Sequence, residues 1–430
     1  MKNTRKGSIV DENVHRIGSK GTPDVVALEA LARDILPDGD PRPPSLHGRS
    51  RVLRRLVAPT SPRAFLEEKW GQTHAHLRSS TRLAWASALV SRERLDRGLA
   101  EHRIPLASVR TLLPGEPLRQ TPAPGGGSDH EVREPDRGRS LAFTSLHLYA
   151  PRLLDECIAL ERELRMPVRA SAILSSAGAV ALPHNEGTAC FVVQLEGTRR
   201  WNVFRDEVVA PPRDERTRLP SPSGEPSASV VLRPGDTLYL PRGLVHESIA
   251  GKTGAIHLTF SVREVTWHDA LQWLGDDALL RCSEDLFFRR SCPGHEAAWT
   301  KSDHAYLDEA LTRFRQSFRL DKLEDLLEDL YLSGSISGRA EPRSSFGQLS
   351  TDVGPSTRVA RNPIMFFARE NVLKFANKKL IFPPKIAKAF DYVTSRERFR
   401  VSSIPTLDPR GQVVLATRLI REGFLSLDRP

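Results

Sequence analysis

The sequence predicts an α+β protein in which an antiparallel β-barrel or jelly roll is followed by a helical region and a small basic unit. Three observations predict it. Between Val168 and Val262 the apolar residues fall into runs of strand length, VRASAIL, ACFVVQLEG, WNVF, SVVLRPGDTLYLP and AIHLTFSV, separated by Gly and Pro turns, as in an antiparallel barrel. From Thr266 onward the apolar spacing lengthens to the period of a helix. Residues 341–430 hold 16 Lys/Arg against 8 Asp/Glu, a surplus of +8 in a chain whose formal charge is +10, so any attraction to nucleic acid or ribosomes should reside at such a basic end. At 430 residues the chain is long for one domain and implies two or three units.

The elements follow in order. Residues 1–52 mix charges, Gly and Pro (PDGDPRPPS) without sustained periodicity and are expected to be a flexible segment, with order beginning near Leu53. A barrel domain is expected over 53–264. At its entrance Ser61 precedes Pro62, and Phe65 and Trp70 follow, a capped helix running into a strand. Residues 121–140 read as a loop by composition, and 212–229 as a mobile insertion between strands. In the last barrel run Ile256, Leu258, Phe260 and Val262 alternate with His257, Thr259 and Ser261, so one face is apolar and the other polar.

A helical region is expected over 265–340. Thr266 and Asp269 fit a capping box, and Trp267, Leu271 and Leu274 form one stripe. A second amphipathic stretch, about Tyr306 to Leu332, aligns Leu311, Phe314 and Phe318, then Leu323, Leu326 and Leu330. Such stripes are packing surfaces, within the chain or at a dimer seam. After the linker SGSISGRAEPRSSFGQLSTDVGPS, the unit at 341–430 contains a helix PKIAKAFDYV and a final helix. The latter has Asp408 as N-cap, Pro409 at its first position, Val413, Ala416 and Ile420 on one face, Gly423 at its end, and the strand FLSL beyond. Helix, helix, strand is the order of a winged-helix unit.

Composition excludes several classes. Cys157, Cys190, Cys282 and Cys292 form no CxxC pair, which argues against a disulfide framework or a thiolate zinc site and for a reducing compartment. The N-terminal residues lack the apolar core of a signal peptide, and no apolar run reaches the roughly 18 residues a bilayer span needs. A cytoplasmic protein without membrane contact is expected. No catalytic Ser/His/Asp arrangement or phosphate-cradling glycine loop is apparent.

The chemistry concentrates in PHNEGTACFVVQLEGTRRW and in PGDTLYLPRGLVHES, whose histidine lies 62 residues after His184. His184 and Glu186 are two apart, so in extended chain they project to one side. His246 returns from another strand after a Pro-Gly-Asp turn. Two imidazoles and one carboxylate form the facial array of non-haem iron oxygenases, which leaves positions open for cosubstrate and dioxygen.

With these motifs in place, the sequence resembles the cupin-type JmjC oxygenases, specifically the ribosomal-oxygenase group. The resemblance runs from about Ser61 to Leu427 and is sharpest between Leu182 and Val262. It rests on SPRAFLEEKW, the two motifs above and IHLTFSV, while VTWHDAL, EDLFFRRSCP and RLIREGFLSL are similar to that group's helical dimerisation region and winged-helix tail. It implies a double-stranded β-helix, Fe(II) on His184, Glu186 and His246, and 2-oxoglutarate as cosubstrate. Succinate and carbon dioxide would be the co-products of hydroxylating a protein or peptide, ribosomal in that group, by a homodimer. A basic residue fifteen positions after the first ligand, here Arg199, would pair with the far carboxylate of 2-oxoglutarate. Arg200 is its rival, since adjacent strand residues face opposite ways and only one can enter the barrel.

Further candidates are Ser175 or Ser176, where the group has a polar residue near the cosubstrate, and His257 on the polar strand face. Trp201 and Phe191 read as core. Asn185 stands where the group usually has Tyr, Glu186 replaces the commoner Asp, and Gly187 to Cys190 (GTAC) stand where relatives tend to carry acidic residues. The relatives' own target, an arginine or histidine of a ribosomal protein, is therefore not carried over. Two other readings remain open: a hydroxylase of a free amino acid or peptide natural product, and a non-catalytic barrel whose tail binds nucleic acid. In the second, Lys374, Lys378, Lys379, Lys385 and Lys388 line a phosphate groove.

Overall fold

Two strands too long for one flat sheet organise the molecule, Ala189–Val208 and Leu244–Val262. The computed structural model describes residues 51–79, 81–112, 138–208, 217–218, 224–293, 298–336, 353–376 and 378–428. The expected N-terminal segment up to residue 50, most of the loop at 121–140, much of the insertion at 212–229 and most of the linker before residue 353 lie outside them.

In chain order, α1 (Val52–Val57), α2 (Pro62–Glu68), β1 (Ala75–Leu77), α3 (Arg82–Leu89), α4 (Arg92–Ala100), β2 (Val109–Leu112), β3 (Ser140–Phe143) and α5 (Pro151–Leu164) come first. The barrel continues with β4 (Val168–Ser175), β5 (Val180–Asn185), β6 (Ala189–Val208), β7 (Thr217–Arg218), β8 (Ala228–Leu232), β9 (Thr237–Leu240) and β10 (Leu244–Val262). Antiparallel β6 and β10 pair along their whole length, from Ala189 opposite Val262 to Val208 opposite Leu244. Midway, both change outer partners. The first half of β6 pairs with β9 and the second with β8, while β10 pairs with β5 before the break and with β4 after it. The order β1-β9-β6-β10-β4-β3-β2 thus joins a second layer, β8-β6-β10-β5-β7, through the same two strands.

The break falls at glycines. Register shifts between Ala250 and Ala255, and Gly197 and Gly254 take φ of +62° and +78°, a region where a Cβ is strained. A Cβ on Gly197 would collide with the Gly254 carbonyl, and one on Gly254 would lie 2.6 Å from the Ser175 oxygen.

The alternation in β10 resolves into an inside and an outside. Ile256, Leu258, Phe260 and Val262 pack with Phe191, Val193 and Tyr239 of the sheet against Phe65, Trp70 and the helices. The polar set that includes His257 therefore turns inward. Helix α2 starts as expected, Ser61 Oγ accepting from Ala64 N at 3.2 Å with Pro62 at the first position. Helix α1 is capped from a distance, the Glu163 carboxylate accepting from the amides of Arg51, Val52 and Leu53 at 2.7, 3.0 and 2.8 Å. Burial raises the Glu163 pKa despite those bonds. Arg82 donates to the carbonyls of Arg55, Leu77, Gly235 and Ala58, tying α1, β1 and the turn before β9 together. Burial lowers its pKa to about 10 against the opposing pull of Asp236.

Beyond the barrel, α6 (Trp267–Cys282), α7 (Lys301–Gln316) and α8 (Leu323–Gly334) follow. The Thr266–Asp269 capping box is present. The expected stripe is out of phase: Ala270, Leu274, Ala278 and Cys282 are buried, whereas Trp267 and Leu271 are exposed. Ala270, Ala278 and Cys282 are small and flank Leu274 on that face, which lets the helix approach its neighbours, a signal that bulky apolar residues mask. The second stretch is likewise two helices, interrupted between Gln316 and Leu323.

The C-terminal unit holds more strand than the sequence suggests: β11 (Arg358–Arg361), β12 (Phe366–Arg369), β13 (Val372–Phe375), β14 (Lys378–Ile381), α9 (Ala387–Ser395), β15 (Arg398–Arg400), α10 (Pro409–Glu422) and β16 (Leu425–Leu427). They form the sheets β15-β11-β16 and β12-β13-β14 around a core of its own that includes Phe375, Phe390, Leu419 and Phe424. Helix α10 begins at Asp408, whose side chain accepts from Gly411 N, and ends at Gly423 with φ +84°. Lys374 is buried against Asp325, Glu328 and Asp329 of α8, Lys379 meets Asp325, and Lys378 meets Glu422. Three of the five lysines considered for a phosphate groove are thus engaged by carboxylates.

Candidate functional site

Strand β5 delivers His184 directly opposite His246 of β10, and their ring centroids are 4.3 Å apart. Just past β5, Glu186 Oε1 lies 3.8 Å from His184 Nε2. One ligand atom from each of the three residues falls within 4.8 Å of the other two. Both imidazoles are buried and are oriented in the same way. His184 Nδ1 bonds the carbonyl of Leu182 at 2.6 Å, and His246 Nδ1 that of Leu244 at 2.8 Å. A ring nitrogen facing a carbonyl carries the proton, so in the neutral ring Nε2 is the nitrogen that offers a lone pair. The turn after β9 clamps the Glu186 loop. Gly243 N donates to the Glu186 carbonyl at 2.9 Å and Arg242 Nε to that of Gly187 at 3.2 Å. Gly243 takes φ +82° to make that contact.

Near the glycine break, Arg199 is buried and Arg200 exposed. Arg199 Nε donates to Ser248 Oγ at 2.9 Å and Nη1 to Ser175 Oγ at 2.6 Å, while Ser140 Oγ donates to Ser175 Oγ at 2.9 Å. Ser176 turns away and donates to the Arg139 carbonyl. Ser248 was not singled out from sequence. It lies two residues after His246 on the same strand face, and that spacing is the signal that marks it.

Trp201 joins the two groups. Its ring is 5.7 Å from that of His246, 5.8 Å from that of His257 and 5.7 Å from the Arg199 guanidinium. Read from sequence as core, it does belong to the apolar cluster with Val192, Val203, Leu238 and Leu244, and its buried indole N–H has no hydrogen-bond partner among the described residues. Phe191 packs on the outer face. His257 is buried beside Trp201.

The donor set suits a divalent transition metal. Two imidazole nitrogens and one carboxylate oxygen leave half of an octahedral shell open. A buried guanidinium held by two hydroxyls suits a carboxylate. A two-layer barrel of this kind has cupin-type architecture, and this donor set could hold such a metal.

Residues 149–270 match the family model described as JmjC domain. The chain is similar to ribosomal oxygenase 1 of Homo sapiens, 33% identical over 148 residues covering 32% of this chain and 23% of that protein. It is also similar to the bifunctional lysine-specific demethylase and histidyl-hydroxylase NO66 of Drosophila persimilis, 26% identical over 216 residues covering 49% and 31%. The chain thus spans about a third or less of these relatives' length. Among solved structures, YcfD, a ribosomal oxygenase from Escherichia coli in complex with cobalt and succinic acid, aligns with TM-score 0.53 at 17% identity, over 87% of this chain and 99% of that one. The shared fold therefore extends well beyond the barrel.

Proposed function

We propose that the chain is an Fe(II)- and 2-oxoglutarate-dependent oxygenase that hydroxylates a side chain of a protein or peptide. The observation that carries this reading is the convergence of His184, Glu186 and His246 within 4.8 Å, in a barrel that also buries Arg199. His184, Glu186 and His246 hold the iron. Arg199, steadied by Ser175 and Ser248, takes the far carboxylate of 2-oxoglutarate, and Trp201 and His257 wall the space between. Bound together, iron and 2-oxoglutarate supply the activation of dioxygen, with succinate and carbon dioxide as co-products. The chain's own residues orient and exclude. The Nδ1 bonds fix both imidazoles, the Gly243 and Arg242 contacts fix the Glu186 loop, and the Trp201 cluster keeps water from the barrel interior.

The remaining architecture belongs to the same reading. Residues 53–264 form the catalytic unit. Residues 265–340 form a dimerisation region of a homodimer, supported by the exposed Trp267, Leu271, Leu279, Leu280 and Leu286. Residues 341–430 form a winged-helix-like unit whose role is structural. No described helix is long and apolar enough to cross a membrane, and the location is taken as cytoplasmic. The test is succinate formation from 2-oxoglutarate by iron-loaded protein in air. It should proceed in the wild type and vanish in His184→Ala; wild-type protein that binds neither iron nor 2-oxoglutarate would overturn the reading.

A further inference from the structure

A cleft opens beside the Glu186 loop, bordered by Arg169, Ser171, Thr188, Ser261, Arg263 and Gly334 among others. Arg169 stands opposite Ser261 in the β4–β10 ladder, and Arg263 N continues that ladder to the Pro167 carbonyl at 2.9 Å. The two arginines are therefore diagonal neighbours on one sheet face, about 7–8 Å apart at the backbone. Like charges so placed repel; Asp269 offsets part of this on the Arg263 side, and an anion seated between the two would interact with both. Arg263 has Asp269 at 3.9 Å, and that carboxylate also accepts from Thr266 in the α6 capping box; Arg169 is exposed. Glu264, next in the chain and half-buried, adds one acidic group to the neighbourhood.

The cleft is continuous with the metal-binding loop. Thr188 follows Glu186 by two residues, and its Oγ1 is 3.6 Å from Cys190 Sγ, itself 3.8 Å from Ser261 Oγ. The segment Gly187 to Cys190 places no carboxylate there to attract a basic substrate.

We propose that the substrate is a peptide segment carrying an acidic residue close to the reacting side chain, received between Arg169 and Arg263. This deepens the oxygenase reading and rests on it. A peptide fits better than a nucleic acid, because no aromatic ring is among the lining residues to stack a base. Hydroxyls of Ser171, Ser261 and Thr188 complete a site for a carboxylate and its flanking backbone.

The test uses the full chain, loaded anaerobically with iron(II) and 2-oxoglutarate, and labelled peptides identical except for Glu, Gln or Lys at alternating positions. Fluorescence anisotropy should show the Glu peptide binding about tenfold tighter than the Lys peptide, and Arg169→Glu/Arg263→Glu should reverse the order. Should that variant fail to fold, Arg169→Gln/Arg263→Gln should abolish the preference. Equal binding, a wild-type preference for the Lys peptide, or an unchanged order in a folded variant would overturn the proposal, as would tighter binding of oligouridylate than of the Glu peptide. Calorimetric uptake of 2-oxoglutarate by the wild type is read separately. Its failure would sink the oxygenase reading, whereas a failed charge order with intact uptake would sink only this inference.

Discussion

Arg199 is a buried cation whose guanidinium is held by two serine hydroxyls. A carboxylate arriving there would add charge-assisted bonds worth about 1.5–3 kcal/mol, roughly a 10- to 100-fold change in affinity. Arg199→Gln should therefore raise KM for 2-oxoglutarate by about that factor while iron still binds; calorimetry checks both, and an unchanged KM would remove Arg199 from the role. The three metal-site candidates were legible because two lie within one tripeptide and the third follows a turn motif strong enough to mark a strand entrance. Ser248 and Trp201 were not, because a strand serine or a buried tryptophan acquires meaning only from register, here Ser248 opposite Trp201.

At the scale of elements, the two long strands depend on a backbone that bends where Gly197 and Gly254 meet. Gly197→Ala would place a methyl against the Gly254 carbonyl at a positive φ, and should destabilise the fold by about 2–4 kcal/mol. Urea unfolding measures this, and a loss under about 1 kcal/mol would show that the corner can open without cost. The strands of the barrel were legible from their alternation and turn residues. Strands β11 to β14 were not, since each has only four residues and, of the four, only β14 alternates in exposure, and such short strands take their conformation from the sheet they join.

At the scale of the whole molecule, α8 links the barrel to the C-terminal unit through charge. The α8 end of the link is fixed by Glu161, which accepts from Ser335 Oγ and from the amides of Val168 and Ile336. On the other side Lys374 lies among Asp325, Glu328 and Asp329. Burial alone would raise the Asp325 pKa, yet hydrogen bonds from Lys374 and Lys379 bring it down to about 2. A carboxylate depressed in the folded state stabilises fully above its unfolded pKa of about 4, and that stability is lost as pH falls through the folded value. The wild type should accordingly melt above Asp325→Asn at pH 5, with the gap closing as pH falls toward 2; a gap independent of pH would contradict the assignment. An oxygenase must put an atom of dioxygen into succinate, which labelled dioxygen reveals. Iron-loaded protein turning over 2-oxoglutarate in heavy-isotope dioxygen should place one labelled oxygen in each succinate, whereas succinate without label, or none from protein shown to hold both iron and 2-oxoglutarate, would contradict an oxygenase.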